Sequence, residues 1–302
     1  MNQIYLHGIA YSVGHKEPIS SLEPLAREPG LLAKLQALGL AHYRRSTETP
    51  LALAAKVIEE TLAHAPVHRE DIEVVIYASS SVDSGAFNGH DFLRFSERAG
   101  LTHTTPIGIS LLDCANFGAA LRVAHHLVAL GEARNVLLVT TDVCRDPEER
   151  LLRSALAVLS DGAASCLVSS AHASRIEVLS TSQTTNQLVR EAVMPALANL
   201  TRTGISTAVH KLLSRTNLSP GSIGRIITNN INREAIRFLC VSAGFEYDQC
   251  FLENIGNFGH VFSADNLINL RTYLEDGAPP DEVVLMLSNS FGAWGLSALR
   301  IA

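Results

Sequence analysis

Residues 67–76, Val-His-Arg-Glu-Asp-Ile-Glu-Val-Val-Ile, line up with residues 218–227, Leu-Ser-Pro-Gly-Ser-Ile-Gly-Arg-Ile-Ile, apolar position on apolar position and 151 positions apart. A second pair agrees at nearly the same offset. Residues 131–139 (Gly, a short polar link, Val-Leu-Leu-Val) correspond to residues 277–287 (Gly, a Pro-rich link, Val-Val-Leu-Met-Leu). Self-similarity at this period indicates a duplication, so the fold is built from two halves of like plan that join between residues 169 and 182. We place the division at 1–172 and 173–302. Within the first half, apolar β-branched runs at 73–78 and 135–141 each follow a stretch of helical spacing, 51–63 and 117–130. Helix followed by buried strand, repeated, predicts a layered α/β fold.

The chain of 302 residues is 47% hydrophobic and 18% charged, which suits a large globular core and excludes disorder. No run reaches the roughly 18 apolar residues of a membrane span, and residues 1–8 lack the basic end and apolar core of a signal peptide. A cytoplasmic protein without a membrane partner is expected. The formal charge is −6 and no Lys or Arg cluster interrupts it, so nucleic acid is not an expected partner. Five cysteines, at 114, 144, 166, 240 and 250, are odd in number and free of any CxxC pair, against both a disulfide framework and structural zinc. No metal site is expected.

Cys114 lies in Ile107-Gly-Ile-Ser-Leu-Leu-Asp-Cys-Ala-Asn-Phe-Gly-Ala-Ala-Leu121, an apolar strand running into a helix of small residues. That puts the sulfur at a helix N-terminus, where unpaired N–H groups and the macrodipole favour a thiolate and can hold a developing oxyanion. Adjacent Asp113 opposes ionisation if it faces the sulfur, and a buried cysteine serving as a small hydrophobe is the alternative. His260 follows Gly259 in a Gly-rich loop before a second helix, 146 positions after Cys114 and so close to the repeat offset. Thiol and imidazole are therefore expected at matching places in the two halves. Asp265, in the first turn of that helix, is placed to fix the imidazole tautomer; its alternative is a plain helix N-terminal charge. Among the other histidines only His90, in the loop 79–92, stays in view. The remaining cysteines read as core, with Cys144 and Cys250 undecided.

These residues resemble the thiolase-fold condensing enzymes, and most nearly the β-ketoacyl-acyl-carrier-protein synthase III group. Cys114-Ala-Asn-Phe-Gly-Ala-Ala-Leu121 is similar to that group's nucleophile motif, with Asn116 where the family usually has Gly. Asp146-Pro-Glu-Glu-Arg150 resembles the segment whose arginine contacts the coenzyme A or phosphopantetheine arm, Ser160-Asp-Gly-Ala-Ala164 its Asp-Gly-Ala turn, and Ser290-Phe-Gly-Ala-Trp-Gly295 a shortened C-terminal Gly-rich loop. Residues 45–62 add a further stretch, so the likeness spans essentially the whole chain. It implies a five-layer αβαβα sandwich, no cofactor, an acyl-CoA or acyl-carrier-protein thioester as substrate, and a homodimer. In that dimer residues 107–112 extend a sheet across a two-fold axis and the loop 80–92 approaches the partner's site.

One departure is informative. The family's His-Gln-Ala-Asn motif falls on Asn229-Asn-Ile-Asn232, which has no titratable group, while Asn257 matches the second amide residue. Gly259-His260 with Asp265 five positions on resembles a sub-branch of synthase III-like acyltransferases in natural-product pathways that use a Cys- or Ser-His-Asp triad. Decarboxylative condensation needs His and Asn to stabilise an enolate, whereas acyl transfer to a heteroatom needs one base near the thioester. The leading expectation is an acyltransferase in which Cys114 takes the acyl group and His260, oriented by Asp265, activates a hydroxyl or amine of a small-molecule acceptor. The amides of Cys114 and Gly292 form the oxyanion hole, Asn229 and Asn257 support, and Arg150 reads the donor. Alternatives are a condensing enzyme using His260 with Asn257, or a non-catalytic subunit of a heteromeric synthase.

Overall fold

The computed structural model describes residues 3–80, 89–152 and 156–302. In chain order the first half contributes β1 (Tyr5–Val13), α1 (Pro50–His64), β2 (Val74–Ala78), α2 (Gly89–Arg98), β3 (Thr105–Ile109), α3 (Asn116–Ala129), β4 (Asn135–Asp142) and β5 (Gly162–Ser169). The second contributes β6 (Ile176–Thr185), α4 (Ala196–Thr216), β7 (Ile223–Thr228), α5 (Arg233–Ala243), α6 (Asp265–Glu275), β8 (Val283–Ser290) and β9 (Ala293–Ile301).

Local chemistry starts these elements where the sequence signals them. Thr49 caps α1 by accepting the Ala52 N–H at 3.2 Å, with Pro50 in the first turn, and Leu53, Ala54, Val57, Ile58 and Thr61 bury one face. The short 3₁₀ turns Arg69–Asp71 and Pro220–Ser222 stand at the repeat offset, and each is closed by a reciprocal capping box.

The strands join in the order β7-β8-β9-β6-β1-β5-β4-β2-β3. Read outward from the β1/β6 junction, where Tyr5 pairs with Glu177 and Leu6 with Ile176, the two arms mirror one another. In each arm the first strand pairs antiparallel with the last, that with the penultimate, and that runs parallel to the second strand. The second arm lacks a full third strand. In its place is one parallel bridge between Ile226 and Cys250.

Helices α3 and α6 pack between the two arms, α1 and α2 cover the outside of the first, and α4 and α5 cover the outside of the second. This is the five-layer thiolase-like sandwich. Both faces of the sheet are covered, so β2, β4 and β5 are buried along their whole length and read as continuous apolar runs. Fully buried side chains such as Phe117, Leu121 and Ile268 in the middle layer each contribute about 1.5–3 kcal/mol by leaving water. No helix among the described residues is long and apolar enough to cross a membrane.

Candidate active site

After β3 the chain turns sharply into α3, with Leu111 at φ +74° and Asp113 at φ +49°, and Cys114 in the middle of the 3₁₀ turn Asp113–Ala115. Two non-glycine residues in the left-handed region cost about 1–3 kcal/mol each and persist only when neighbours hold them. Those neighbours come from the other half. Ser263 Oγ donates to the Asp113 carbonyl at 3.2 Å and Asn229 Nδ2 to the Cys114 carbonyl at 3.3 Å. The Asp113 carboxylate pairs with Arg190 at 2.7 Å at the surface, which draws its charge away from the sulfur.

His260 is fixed through its backbone first. Gly259 has φ +65°, and a Cβ there would lie 2.6 Å from Ser160 Oγ, so only glycine admits this approach. Beyond it the His260 N–H donates to the Val158 carbonyl at 2.9 Å and the Ser160 N–H to the His260 carbonyl at 2.8 Å, a one-residue parallel bridge onto the first half. The ring then spans two partners. Nε2 lies 3.0 Å from Cys114 Sγ and Nδ1 lies 2.5 Å from Asp265 Oδ2. Asp265, wholly buried, opens α6 and also accepts from the Val261 N–H (2.8 Å), the Asn230 N–H (2.7 Å) and Asn230 Nδ2 (3.2 Å). Asn230 is braced in turn by Asn269 Nδ2 at 2.9 Å. A buried carboxylate needs this many donors.

Burial alone pushes the His260 pKa down. The charges on Cys114 and Asp265, with hydrogen bonds to both, outweigh it and hold the imidazole well above 6.5. The ring, held between sulfur and carboxylate, is placed to deliver a proton on one step and take it back on the next.

Several expected positions fall elsewhere. Cys114 and His260 are not counterparts in the repeat: the residue that copies Cys114 is Ser263, in the 3₁₀ turn Phe262–Ala264 that follows another φ of +49°, at Phe262. His260 sits three residues earlier. Arg150, expected exposed at the mouth of the donor tunnel, is buried. It makes a two-point ion pair with Asp161 (3.0 and 2.9 Å) and donates to the Leu159 and Cys144 carbonyls (3.0 and 2.9 Å). With those donors spent on its own chain, it anchors the loop and does not reach for a phosphate. Asn257, expected beside the base, lines a different pocket from Cys114, and its Oδ1 accepts from Arg44 at 3.2 Å. Asn229 is buried and fully engaged: Nδ2 also donates to the Phe262 carbonyl at 3.1 Å, and Oδ1 accepts the Asn289 N–H at 2.8 Å. Gly292 is in the tight turn between β8 and β9 at φ +86°, where a Cβ would overlap the Asn186 carbonyl. Residues 81–88 of the loop singled out earlier lie outside the described residues; His90, which follows, is exposed on α2.

Sequence reasoning passed over Asn230, Ser263 and Asn289. Asn230 lies inside the Asn229–Asn232 motif, where attention went to Asn229, and the repeat itself pointed to Ser263.

Cys114, His260 and Asn289 open together on a cavity of about 360 Å³, whose other walls include Leu152, Phe238, Leu239 and Trp294. Among the described residues no three His, Cys, Asp or Glu side chains group as metal ligands.

Residues 111–187 match the 3-oxoacyl-[acyl-carrier-protein (ACP)] synthase III family and residues 213–301 its C-terminal part, together more than half of the chain. A β-ketoacyl-[acyl-carrier-protein] synthase III of Vibrio cholerae is 22% identical over 287 residues, covering 87% of this chain and 78% of that protein. Among solved structures, ChlB3, described as an acyltransferase, superposes with a TM-score of 0.84 at 16% identity, covering 99% of this chain and 98% of that one. The 3-oxoacyl-[acyl-carrier-protein] synthase III of Aquifex aeolicus gives 0.81 at 18% identity, covering 98% and 99%. At such identities the superpositions speak to the fold, while one family match contains Cys114 and the other His260 and Asp265. Enzymes of this kind use acyl-CoA or acyl-carrier-protein thioesters and need no cofactor. The chain is a member of the 3-oxoacyl-acyl-carrier-protein synthase III family of transferases with the thiolase-like fold.

Proposed function

We propose that this protein is an acyltransferase that moves an acyl group from an acyl-CoA or acyl-carrier-protein thioester, through an acyl-cysteine at Cys114, onto a hydroxyl or amine of a small molecule in a natural-product pathway. The observation that carries the reading is the continuous Cys114–His260–Asp265 chain of contacts at 3.0 and 2.5 Å, with no titratable group at Asn229. The likeness to ChlB3, an acyltransferase, supports it.

In the first step the Cys114 thiolate attacks the thioester carbonyl, the carbon–sulfur bond to the donor breaks, and the departing thiolate takes the proton from His260. In the second, now-neutral His260 accepts a proton from the acceptor's hydroxyl or amine, whose oxygen or nitrogen attacks the acyl carbonyl. Cys114 leaves as the thiolate, and the starting ion pair is restored. The Cys114 and Gly292 amides serve as the oxyanion hole. Asp265 holds the tautomer and remains a carboxylate throughout.

A second reading, decarboxylative condensation, draws support from the family match. It would pair His260 with Asn289, which lines the same cavity, since Asn229 and Asn257 are both engaged elsewhere. Product mass separates the two: transfer adds the whole acyl group to the acceptor, and condensation with a malonyl unit loses carbon dioxide. We place the enzyme in the cytoplasm as a homodimer. β3 is an edge strand with exposed positions, and Leu111 just beyond it is 80% exposed, which suits pairing with a second copy. A monomer by light scattering would overturn that part.

A further inference from the structure

The cavity at Cys114 has a floor with a specific construction. Leu197 and Thr201 of α4 line it, and Gly204 follows on the same face, at the i, i+4, i+7 spacing of one helix stripe. Over those seven residues the helix rises about 10 Å. At Gly204 the stripe is met by the indole of Trp294, which is 1% exposed and itself lines the cavity. A Cβ on Gly204 would overlap Cζ3, Cε3 and Cη2 of that ring. Glycine in a helix interior weakens it relative to alanine, so its place here is explained by the ring it admits.

The chemistry of the walls separates along the cavity. Asn289 belongs with the nucleophile, because its N–H reaches Asn229 Oδ1 and Asn229 reaches the Cys114 carbonyl. Phe238 and Leu239 of α5, Leu197 and Trp294 are apolar. Among the described lining residues there is no Lys or Arg, and the one carboxylate, Asp113, is paired with Arg190 at the surface. A substrate carboxylate placed against the walls formed by Leu197, Phe238, Leu239 and Trp294 would be desolvated among apolar side chains, a costly state, whereas a hydrocarbon chain there gains from each methylene removed from water.

Resting on the acyl-cysteine reading above, we propose that this cavity receives an uncharged, apolar acyl chain of intermediate length, and that Trp294 seated on Gly204 sets the longest chain accepted. Trp294 is thus a specificity-determining residue, and Gly204 a positioning residue acting through it.

The test is intact-protein mass spectrometry of the whole chain after brief exposure to acetyl-, butanoyl-, hexanoyl-, decanoyl-, tetradecanoyl- and malonyl-CoA. Wild type should load the intermediate chains best and malonyl-CoA at least tenfold more slowly than butanoyl-CoA. Trp294→Phe should extend loading to longer chains, and Gly204→Ala, by pressing the indole into the cavity, should shorten the limit. Because Gly204→Ala is the variant at risk of misfolding, Trp294→Phe alone decides. An unchanged chain profile in Trp294→Phe, or malonyl loading equal to butanoyl, overturns the inference while leaving acyl transfer standing. No acyl adduct on wild type with any donor overturns the acyl-cysteine reading and this one with it.

Discussion

Two turns in this molecule share one backbone and differ in what they can do. Each begins at a φ of +49°, at Asp113 or Phe262, passes through a 3₁₀ turn and enters a middle-layer helix. In each, the first helical residue bonds back to the loop: Asn116 Oδ1 accepts the Leu112 N–H at 3.1 Å, and Asp265 Oδ1 the Val261 N–H at 2.8 Å. The first turn presents Cys114 and the second, at the same place, Ser263. Five residues before the helix the second turn has buried His260, and the first has exposed Leu111. An amide and a carboxylate of nearly the same shape satisfy the same backbone bond, yet only the carboxylate adds a negative charge that favours the protonated ring beside it. The duplication supplied a repeated frame, and its two copies carry different groups: a thiol on one, an imidazole and a carboxylate on the other.

That division is open to breaking. Cys114→Ala should abolish the acyl adduct while the fold persists, because the change removes the sulfur and little volume. An adduct surviving at Ser263 would show that both turns are armed. Next in size, His260→Ala should slow transfer from the acyl-enzyme by about 10²–10⁴-fold in single-turnover measurements, as loss of a general base does. Asn229→Ala should act mainly on stability, by about 1–3 kcal/mol in denaturant melts, since it strips partners from the Cys114 and Phe262 carbonyls and the Asn289 N–H. If Asn229→Ala were the more damaging to chemistry, the condensing geometry would regain the lead.

Arg150→Ala leaves Asp161 buried without its cation. It should cost about 3–5 kcal/mol of stability, with the KM for an acyl-CoA donor unchanged. A raised KM at unchanged stability would restore Arg150 to the donor site.

The smallest effect is the most specific to the comparison. Asp265→Asn makes the second turn chemically like the first, and taking away that negative charge lowers the His260 pKa. For wild type, a folded pKa raised above 6.5 contributes stability that is fully present below pH 6.5 and lost as pH rises through the folded value. Urea melts across pH should show that decline, and Asp265→Asn should flatten it. An equal slope in both would mean Asp265 does not set the charge state of the ring.

The contact of Cys114, His260 and Asp265 involves three residues that were legible because each sits where local grammar meets chemistry: a strand entering a helix at Cys114, a glycine before His260, an acid in the first turn at Asp265. The repeated strand plan was legible because apolar periodicity survives duplication. What failed depended on distant partners. Nothing near Arg150 in sequence announces that Asp161 will take both its amino groups, and Asn257 is claimed by Arg44, more than two hundred positions upstream. The pairing of Cys114 with His260 across the repeat was three residues out of phase, since the offset was read from strands and the loops between them differ in length. The seat of Trp294 on Gly204 joins a hairpin to a helix that no sequence pattern linked.

The pairing of Tyr5 with Glu177 and Leu6 with Ile176 carries a consequence for how the protein matures. The two arms meet through residues far apart in the chain, and contacts of such sequence separation form late and slowly. During synthesis the segment bearing Cys114 emerges well before the one bearing His260, and domains fold in that order. Until the second arm docks, the sulfur has no imidazolium beside it, and the carbonyls of Asp113 and Cys114 lack the Ser263 and Asn229 groups that hold the turn. The set of contacts that holds and orients Cys114 is thus complete only when residues of both halves are joined.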